Sequence, residues 1–530
     1  MQIKTYFIPS HLPYCRLLAL ALLIFTNPLR ILAQNLTTSE IDSLANKDLN
    51  LFRVPGLAIG VIKDGKLIYS KGFGISSLLT QKATDQETLF GIASNTKAFT
   101  AAALGLLVDE NKIHWDDKVS KYIPEFRLYD QLATREMTIR DLLCHRSGLA
   151  TGVGDLMHDP DSTDFTVKEI IYNLRYLKPR YSFRSKFAYD NNLYLVAGEV
   201  ISRVSKMRWE DFIEQRIFKP LDMKNSAASY CGCSKNPNII DPHRLMNDSL
   251  KVITRYTSTK DDAAGGIYSN VVDLSKWLEM LMNNGKYGET LNNQLLSEQT
   301  VKELLSPQMT IAVGKPNAYN THFAAYGLGW FLLDAKGYKL VVHTGEDVGM
   351  VSEISMVPEL KLGIIVLTNS ESNAIDAITH QILDSYLEVK NIDESSVSFA
   401  RWNSNEWTQR REKDSVFNIV MRRQSRYHPD LQRFAGSYQD RWFGNVTISL
   451  RSHGLWFASR RSPQLRGYLL PYDKDTFFIR WQNPEIDADT FLVFNRGNTG
   501  EPNSFKLADA VPGSGFNFDD LLFQEIRHKQ

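Results

Sequence analysis

Cysteine is scarce: four in 530 residues. Setting aside Cys15, which precedes the mature region, Cys144, Cys231 and Cys233 remain, too few for a disulfide framework in so long a chain. Cys231 and Cys233 stand too close together to bridge without strain and read as small residues in a surface loop. No H-E-x-x-H and no Cys or His cluster at zinc spacing occurs, so no metal and no other cofactor is expected. Excess charge of one sign is missing as well, with 61 Lys and Arg against 60 Asp and Glu. Nucleic-acid binders usually carry a concentrated basic face, so no nucleic-acid partner is expected. After Phe25 no further long apolar run appears, so no integral membrane segment is expected in the mature chain. No repeat points to a solenoid.

What is present begins with a leader. Lys4 and Arg16 precede the apolar run Leu17 to Phe25, and the small residue Ala33 follows before Gln34. This is the order of a secretory signal peptide, assigned here to residues 1–33. The run is about half of the ~20 residues a spanning helix needs. An exported protein, periplasmic or secreted, is the expectation. A hydrophobic fraction of 43% suits a soluble globular protein, and the length suits more than one domain.

The expected fold class is α/β (α+β). In GLAIGVIKDGKLIYSKGFG an Asp64-Gly65 turn joins two β-rich runs, which is a hairpin signal. An Ala- and Leu-rich helical region follows from Ser94 to about Glu110. TIRDLL, WEDFIEQRIF and DLSKWLEMLMNNG read as further helices. Strands return in KLVVHTG, SEISMVPE and LGIIVLTNS, and a helix starting near Asn373 closes the unit around Tyr386. Strands at both ends with helices between imply an antiparallel sheet covered by helices, with a helical lobe and a cleft between them. This catalytic unit is assigned to 36–390. A charged helical linker occupies 391–432. Over 433–530, short alternating segments (NVTISL, LWFAS, GYLLPY, TFFIRW, TFLVF) predict a small all-β barrel or sandwich. At strand spacing, Trp442, Trp456 and Trp481 read as core.

Three short motifs carry chemistry. Ser94 and Lys97, in FGIASNTKAFTAAALGLL, form the one S-x-x-K of the chain and stand one helical turn apart. A serine hydroxyl needs a base, and a lysine whose pKa is lowered by burial can serve. The helix start offers a free N–H and positive dipole to an oxyanion. Tyr189 and Asn191, in FAYDNN, stand two apart and can face one cleft. His343, Thr344 and Gly345 end a strand, where Glu346 can add a second backbone N–H. His145, Ser147 and the Gly265-Gly266 pair read as structural, while Asp347 and the Tyr326 region are candidate pocket walls.

S-x-x-K, Y-x-N and H-T-G in this order resemble the three motifs of the serine β-lactamase and DD-peptidase (penicillin-binding protein) superfamily. VPGLAIGVIKDGKLIYSKGFG, TIRDLLCHRSGL, FKPLDM, AAGGIYSNVVDLSKWL, YGLGW and LTN resemble its class C β-lactamase-like branch, with D-aminopeptidases and family VIII esterases. The resemblance covers about residues 40–390. It implies Ser94 as nucleophile of an acyl-enzyme, Lys97 and Tyr189 sharing proton transfer, and Asn191, His343, Thr344 and Gly345 at the substrate. It also implies an oxyanion hole from the N–H groups of Ser94 and Glu346. His343 stands where many relatives have a lysine that pairs with a substrate carboxylate, which weighs against efficient β-lactam hydrolysis. The expected activity is cleavage of an amide or ester in a small molecule or peptide, such as a D-amino-acid peptide, a peptidoglycan-like peptide or a small ester. A β-lactamase is the alternative within enzymes, and a non-catalytic penicillin-binding sensor or scaffold the alternative outside them. The last domain resembles the lipocalin-like domains appended to such proteins, which implies a role at the active-site mouth or in a homo-oligomer.

Overall fold

The computed structural model describes residues 35–246, 248–314, 317–486, 488–511, 516–518 and 520–526. The leader expected over 1–33 lies outside them. Eight antiparallel strands form the main sheet: β1 (Gly56–Lys63), β2 (Lys66–Gly74), β3 (Met309–Ile311), β4 (Ala324–Tyr326), β5 (Phe331–Ala335), β6 (Tyr338–Asp347), β7 (Met350–Val357) and β8 (Leu362–Thr368). Their spatial order is β2-β1-β8-β7-β6-β5-β4-β3, so the first hairpin pairs with the last strand.

The period of two decides what covers each face. Leu57, Ile59 and Val61 of β1, with Ile364 and Val366 of β8, bury against α1 (Thr38–Leu51) and α5 (Ala374–Tyr386). Ala58 and Ile62, with Ile365 and Leu367, turn the other way into the core shared with the helical lobe. That core holds α2 (Thr96–Asp109), α3 (Asn192–Ser205) and α4 (Val271–Met282). Helix α2 is buried from Thr96 through Leu107, as a helix apolar on all sides must be. Buried apolar side chains on both faces of one sheet supply most of the stabilisation here.

Beyond α5, the 31-residue α6 (Glu394–Gln424) leads to the final domain. There β9 (Gly436–Asp440), β10 (Gly444–Arg451), β11 (Gly454–Ser459), β12 (Arg466–Asp473), β13 (Thr476–Trp481), β14 (Thr490–Arg496), β15 (Pro502–Asp509) and β16 (Phe523–Glu525) pair in sequence and close into a barrel. Side chains fill its interior: Tyr438 lies 5.0 Å from Phe505, and Phe505 stacks on Phe523 at 4.6 Å. Trp442 and Trp456 are buried, and Trp481 is half-buried with its indole donating to the Ala488 carbonyl.

The three cysteines among the described residues are unpaired. Cys144 and Cys233 are buried and Cys231 is exposed, the latter two in the short helix Tyr230–Cys233 and not in a loop.

Candidate active site

Ser94 sits in the single turn Ala93–Asn95 that feeds α2. Ala93 before it takes a left-handed φ of 46°, a conformation costing a non-glycine residue about 1–2 kcal/mol. Contacts to the sheet hold this turn. Ser352 Oγ on β7 donates to the Ile92 carbonyl at 2.8 Å, and Asn95 Nδ2 donates to Ser352 Oγ at 2.8 Å. Gly345 on β6 lies so close that a Cβ there would stand 2.0 Å from the Ile92 oxygen.

Lys97 is wholly buried one turn on. Its Nζ lies 2.9 Å from Ser94 Oγ and 3.0 Å from the Ala264 carbonyl. Burial lowers its pKa to about 7, with Asp155, Asp261 and Asp190 pulling the other way. At neutral pH a good share of Lys97 is therefore neutral, in reach of the serine proton. The Tyr189 ring lies 4.9 Å from Nζ. Burial pushes the Tyr189 phenol well above its ordinary value, so it keeps its proton. His145 stacks on Tyr189 at 4.2 Å and accepts the Asp190 N–H through Nδ1, the structural place expected of it. Burial drives its pKa far down. Ser147 is likewise buried, with its hydroxyl 3.5 Å from Asp190.

Ser94 opens into a cavity of about 280 Å3 lined also by Asn191, Gly265, Gly266, Glu346 and Asp347. The two residues offered for an oxyanion hole, Ser94 and Glu346, thus meet the same space. Asn191 directs its amide to Asp155 Oδ2 at 3.0 Å. Gly265 and Gly266, read above as purely structural, are cavity wall. His343 requires a correction. It is 1% exposed, absent from this lining, and its Nε2 lies 2.8 Å from the Tyr326 hydroxyl. Burial, with the nearby charge of Lys97, lowers its pKa to about 3, so it is neutral. Tyr326 is fully buried beside it and is not a wall either; Thr344 is exposed and Gly345 packs on the Ser94 turn. The pair His343–Tyr326 is internal packing, and it offers no cation to a substrate.

Four residues of the site carried no signal in the sequence. Asp155 gathers Asn191, Asn192 and His158, and Ala264 supplies the carbonyl on Lys97. Asp261 accepts from the Tyr256 hydroxyl at 3.0 Å. Ser352 braces the turn. Asp155 and Asp261 lie in none of the stretches quoted above, and those that contain Ala264 and Ser352 say nothing of these contacts, because each residue is brought in from a distant segment.

A family model described as Beta-lactamase matches residues 44–385. The chain belongs to the beta-lactamase family. A second model, Domain of unknown function (DUF3471), matches residues 422–525, the end of α6 and the barrel. Among relatives of this beta-lactamase family chain, the unguisins hydrolase ungD' of Aspergillus campestris is 25% identical over 88% of each chain. The unguisins hydrolase ungD of Aspergillus violaceofuscus is 27% identical over 61% of this chain and 59% of its own. The protein flp of Staphylococcus aureus is 27% identical over 66% of each. In fold, the chain matches the octameric penicillin-binding protein homologue from Pyrococcus abyssi with a TM-score of 0.59, at 21% identity, over 92% of this chain and all of that one. Because that match covers 92% of this chain, it takes in barrel residues as well as the unit at 44–385, and it speaks to fold alone.

Proposed function

We propose that this protein is a serine hydrolase that cleaves an amide or ester through an acyl-enzyme on Ser94. The observation carrying the reading is Lys97: wholly buried, 2.9 Å from the serine oxygen, with a pKa brought down to about 7. Neutral Lys97 takes the Ser94 proton as Oγ attacks the carbonyl carbon, and the resulting oxyanion rests on the backbone N–H groups of Ser94 and Glu346. The ammonium then returns the proton to the leaving amine or alcohol, and water repeats the sequence to release the acid. Tyr189, which holds its proton, passes it between Lys97 and the leaving group without serving as the resting base. Asn191, tied to Asp155, orients the acyl arm. The hydrolase names of the two Aspergillus relatives support the reaction class. Export through the leader at 1–33 belongs to the same proposal.

Ser94→Ala, assayed on an activated aryl ester, is expected to lower kcat by about a thousandfold or more while the melting temperature holds. Turnover retained to within tenfold, as roughly judged against enzymes of this type, would overturn the reading.

A further inference from the structure

Asn191 is set by what stands behind it. Its Nδ2 donates to Asp155 Oδ2 at 3.0 Å, while Asp155 Oδ1 meets Asn192 Nδ2 at 3.2 Å and His158 Nε2 at 3.2 Å. A carboxylate only accepts, so the Asn191 amide is fixed end for end, nitrogen to Asp155 and oxygen away from it. The turn that carries Asp155, Asp155–Met157, is tied to the same segment. Gly152 donates its N–H to the Tyr189 carbonyl at 3.2 Å, and Asn192 Nδ2 donates to the Val153 carbonyl at 3.1 Å.

His158, 4% exposed, closes this arrangement from the other side. It follows the Asp155 turn directly and lines the cavity at Ser94. One ring nitrogen stands 3.2 Å from Asp155 and the other 3.8 Å from Asp261, so the imidazole spans two carboxylates. The Tyr256 hydroxyl braces the far end, 2.7 Å from the His158 carbonyl and 3.0 Å from Asp261. Asp159 and Asp190 add their fields to the same group. Two further cations reach it, Lys97 acting on Asp261 and Arg244 on Asp159.

An imidazolium donates from both nitrogens, whereas a neutral ring must turn a lone pair toward one of the two acids. The geometry therefore calls for the protonated ring. Burial opposes that charge, yet Asp155 first, then Asp261 and Asp159, hold the His158 pKa up to about 9.

We propose that His158 is a positioning residue: as an imidazolium between Asp155 and Asp261, it locks the Asp155 carboxylate, and through it the Asn191 amide, against the acyl arm of the substrate. The inference rests on the Ser94 reading above and adds no group to the proton transfers. Its pH dependence has a definite sign. His158 is charged below its raised pKa, so the clamp is complete at neutral pH and released as the pH climbs through about 9. Lys97 needs the opposite change and loses its proton through about 7. Substrates with an arm for Asn191 are best served between the two.

The test uses the mature full-length chain and two fluorophosphonates of equal length, one with an amide in the arm on phosphorus and the other plain alkyl. Labelling rates at Ser94 are read by intact mass and peptide mapping, and their ratio reports the grip on the arm apart from serine reactivity. At neutral pH the amide probe is expected to label about fivefold faster or more. The ratio is expected to fall toward one as the pH rises through about 9, while the plain probe keeps its rate. Asn191→Ala is expected to bring the ratio to within about twofold of one, after which His158→Ala lowers it no further. His158→Gln keeps a donor for Asp155 without a titrating ring, so its ratio is expected to stay above one and to lose the alkaline fall. That variant and the wild-type profile carry the test should His158→Ala not fold. A wild-type ratio near or below one, or one that holds steady through the alkaline range, overturns the positioning role and leaves the serine reading standing. So does an alkaline fall that persists in His158→Gln, or a loss in His158→Ala that is equally large without Asn191. Absence of label at Ser94 from both probes defeats the serine reading, and this inference with it.

Discussion

Lys97 and His343 are both fully buried, and burial drives both toward their neutral forms. The consequences differ because their partners differ. Lys97 faces Ser94 Oγ and one carbonyl, so its neutral form has a proton to take. His343 faces the Tyr326 hydroxyl and the Thr344 carbonyl, and its ring is packed by Tyr326 and Phe331. Placing a lysine at 343 would bury a second ammonium beside Lys97. His343→Lys is therefore expected to destabilise the protein by about 2 kcal/mol or more without creating a preference for carboxylate substrates. Thermal melting and a paired comparison of carboxylate and amide substrates check this; an unchanged melting temperature with a new carboxylate preference contradicts it. The motif residues Ser94, Lys97, Tyr189 and Asn191 were legible in the sequence because their spacing is local. Asp155, Asp261 and the Ala264 carbonyl were not, since tertiary packing alone brings them to the site. The burial of His343 was equally hidden: an H-T-G read as a strand end says nothing about which face is covered, and the strand runs on to Asp347.

At the level of elements, the Ser94 turn and strands β6 and β7 form one unit. The turn is held in an unfavourable conformation at Ala93 by its bonds to Ser352 and by the bare backbone of Gly345. Strain of this kind persists only where surrounding structure over-determines it. Gly345→Ala would place a methyl 2.0 Å from the Ile92 oxygen, so either the turn or the strand must move. The expected result is a loss of about 1–3 kcal/mol in stability and a larger loss in Ser94 acylation rate. Denaturant melts alongside stopped-flow acylation measure the two; wild-type acylation in this variant would show that the close approach is dispensable. Strands β1, β2, β6, β7 and β8 of the main sheet and helix α4 were readable as β-rich runs and a helical segment, whereas β3, β4 and β5, only three to five residues long, were not. In the barrel, five strands stood out as β-rich runs. Gly436–Asp440, Pro502–Asp509 and Phe523–Glu525 did not, being short or rich in Gly, Pro and polar residues. Their membership comes from closure, which pairs the last strand with the first.

At the scale of the whole molecule, the barrel is fastened to the catalytic unit at several points. Asn173 donates to the Trp442 carbonyl at 3.1 Å, Gln464 to Asp161 at 2.9 Å, and Arg461 bridges Asp164 and Glu169. Phe165 and Phe443 meet at 6.4 Å, so apolar contact joins the two cores. Between the units lies a second cavity of about 370 Å3, sharing Asp159, Arg244 and Glu346 with the one at Ser94 and walled on the barrel side by Asn483, Glu485 and Phe516. Units so joined are expected to unfold in a single calorimetric transition, and Phe443→Ala is expected to split it or lower it by several degrees, on the order of 3–5 °C. Two separate transitions in the wild type would contradict this coupling. No helix among the described residues is long and apolar enough to cross a membrane. The division into a catalytic unit, a helical connector and a small β domain was legible in composition. The contacts between them were not, because each pairs residues hundreds of positions apart. The central claim for the molecule remains that Ser94 acts with neutral Lys97. Its most direct test is the rate of Ser94 labelling by a neutral fluorophosphonate as a function of pH, with the adduct located by peptide mapping. On the proposed reading, in which neutral Lys97 is the active form, the rate rises with pH through an apparent pKa of about 7 and drops by about a hundredfold or more in Lys97→Ala. A flat profile, or a Lys97→Ala variant that labels at the wild-type rate, would contradict it.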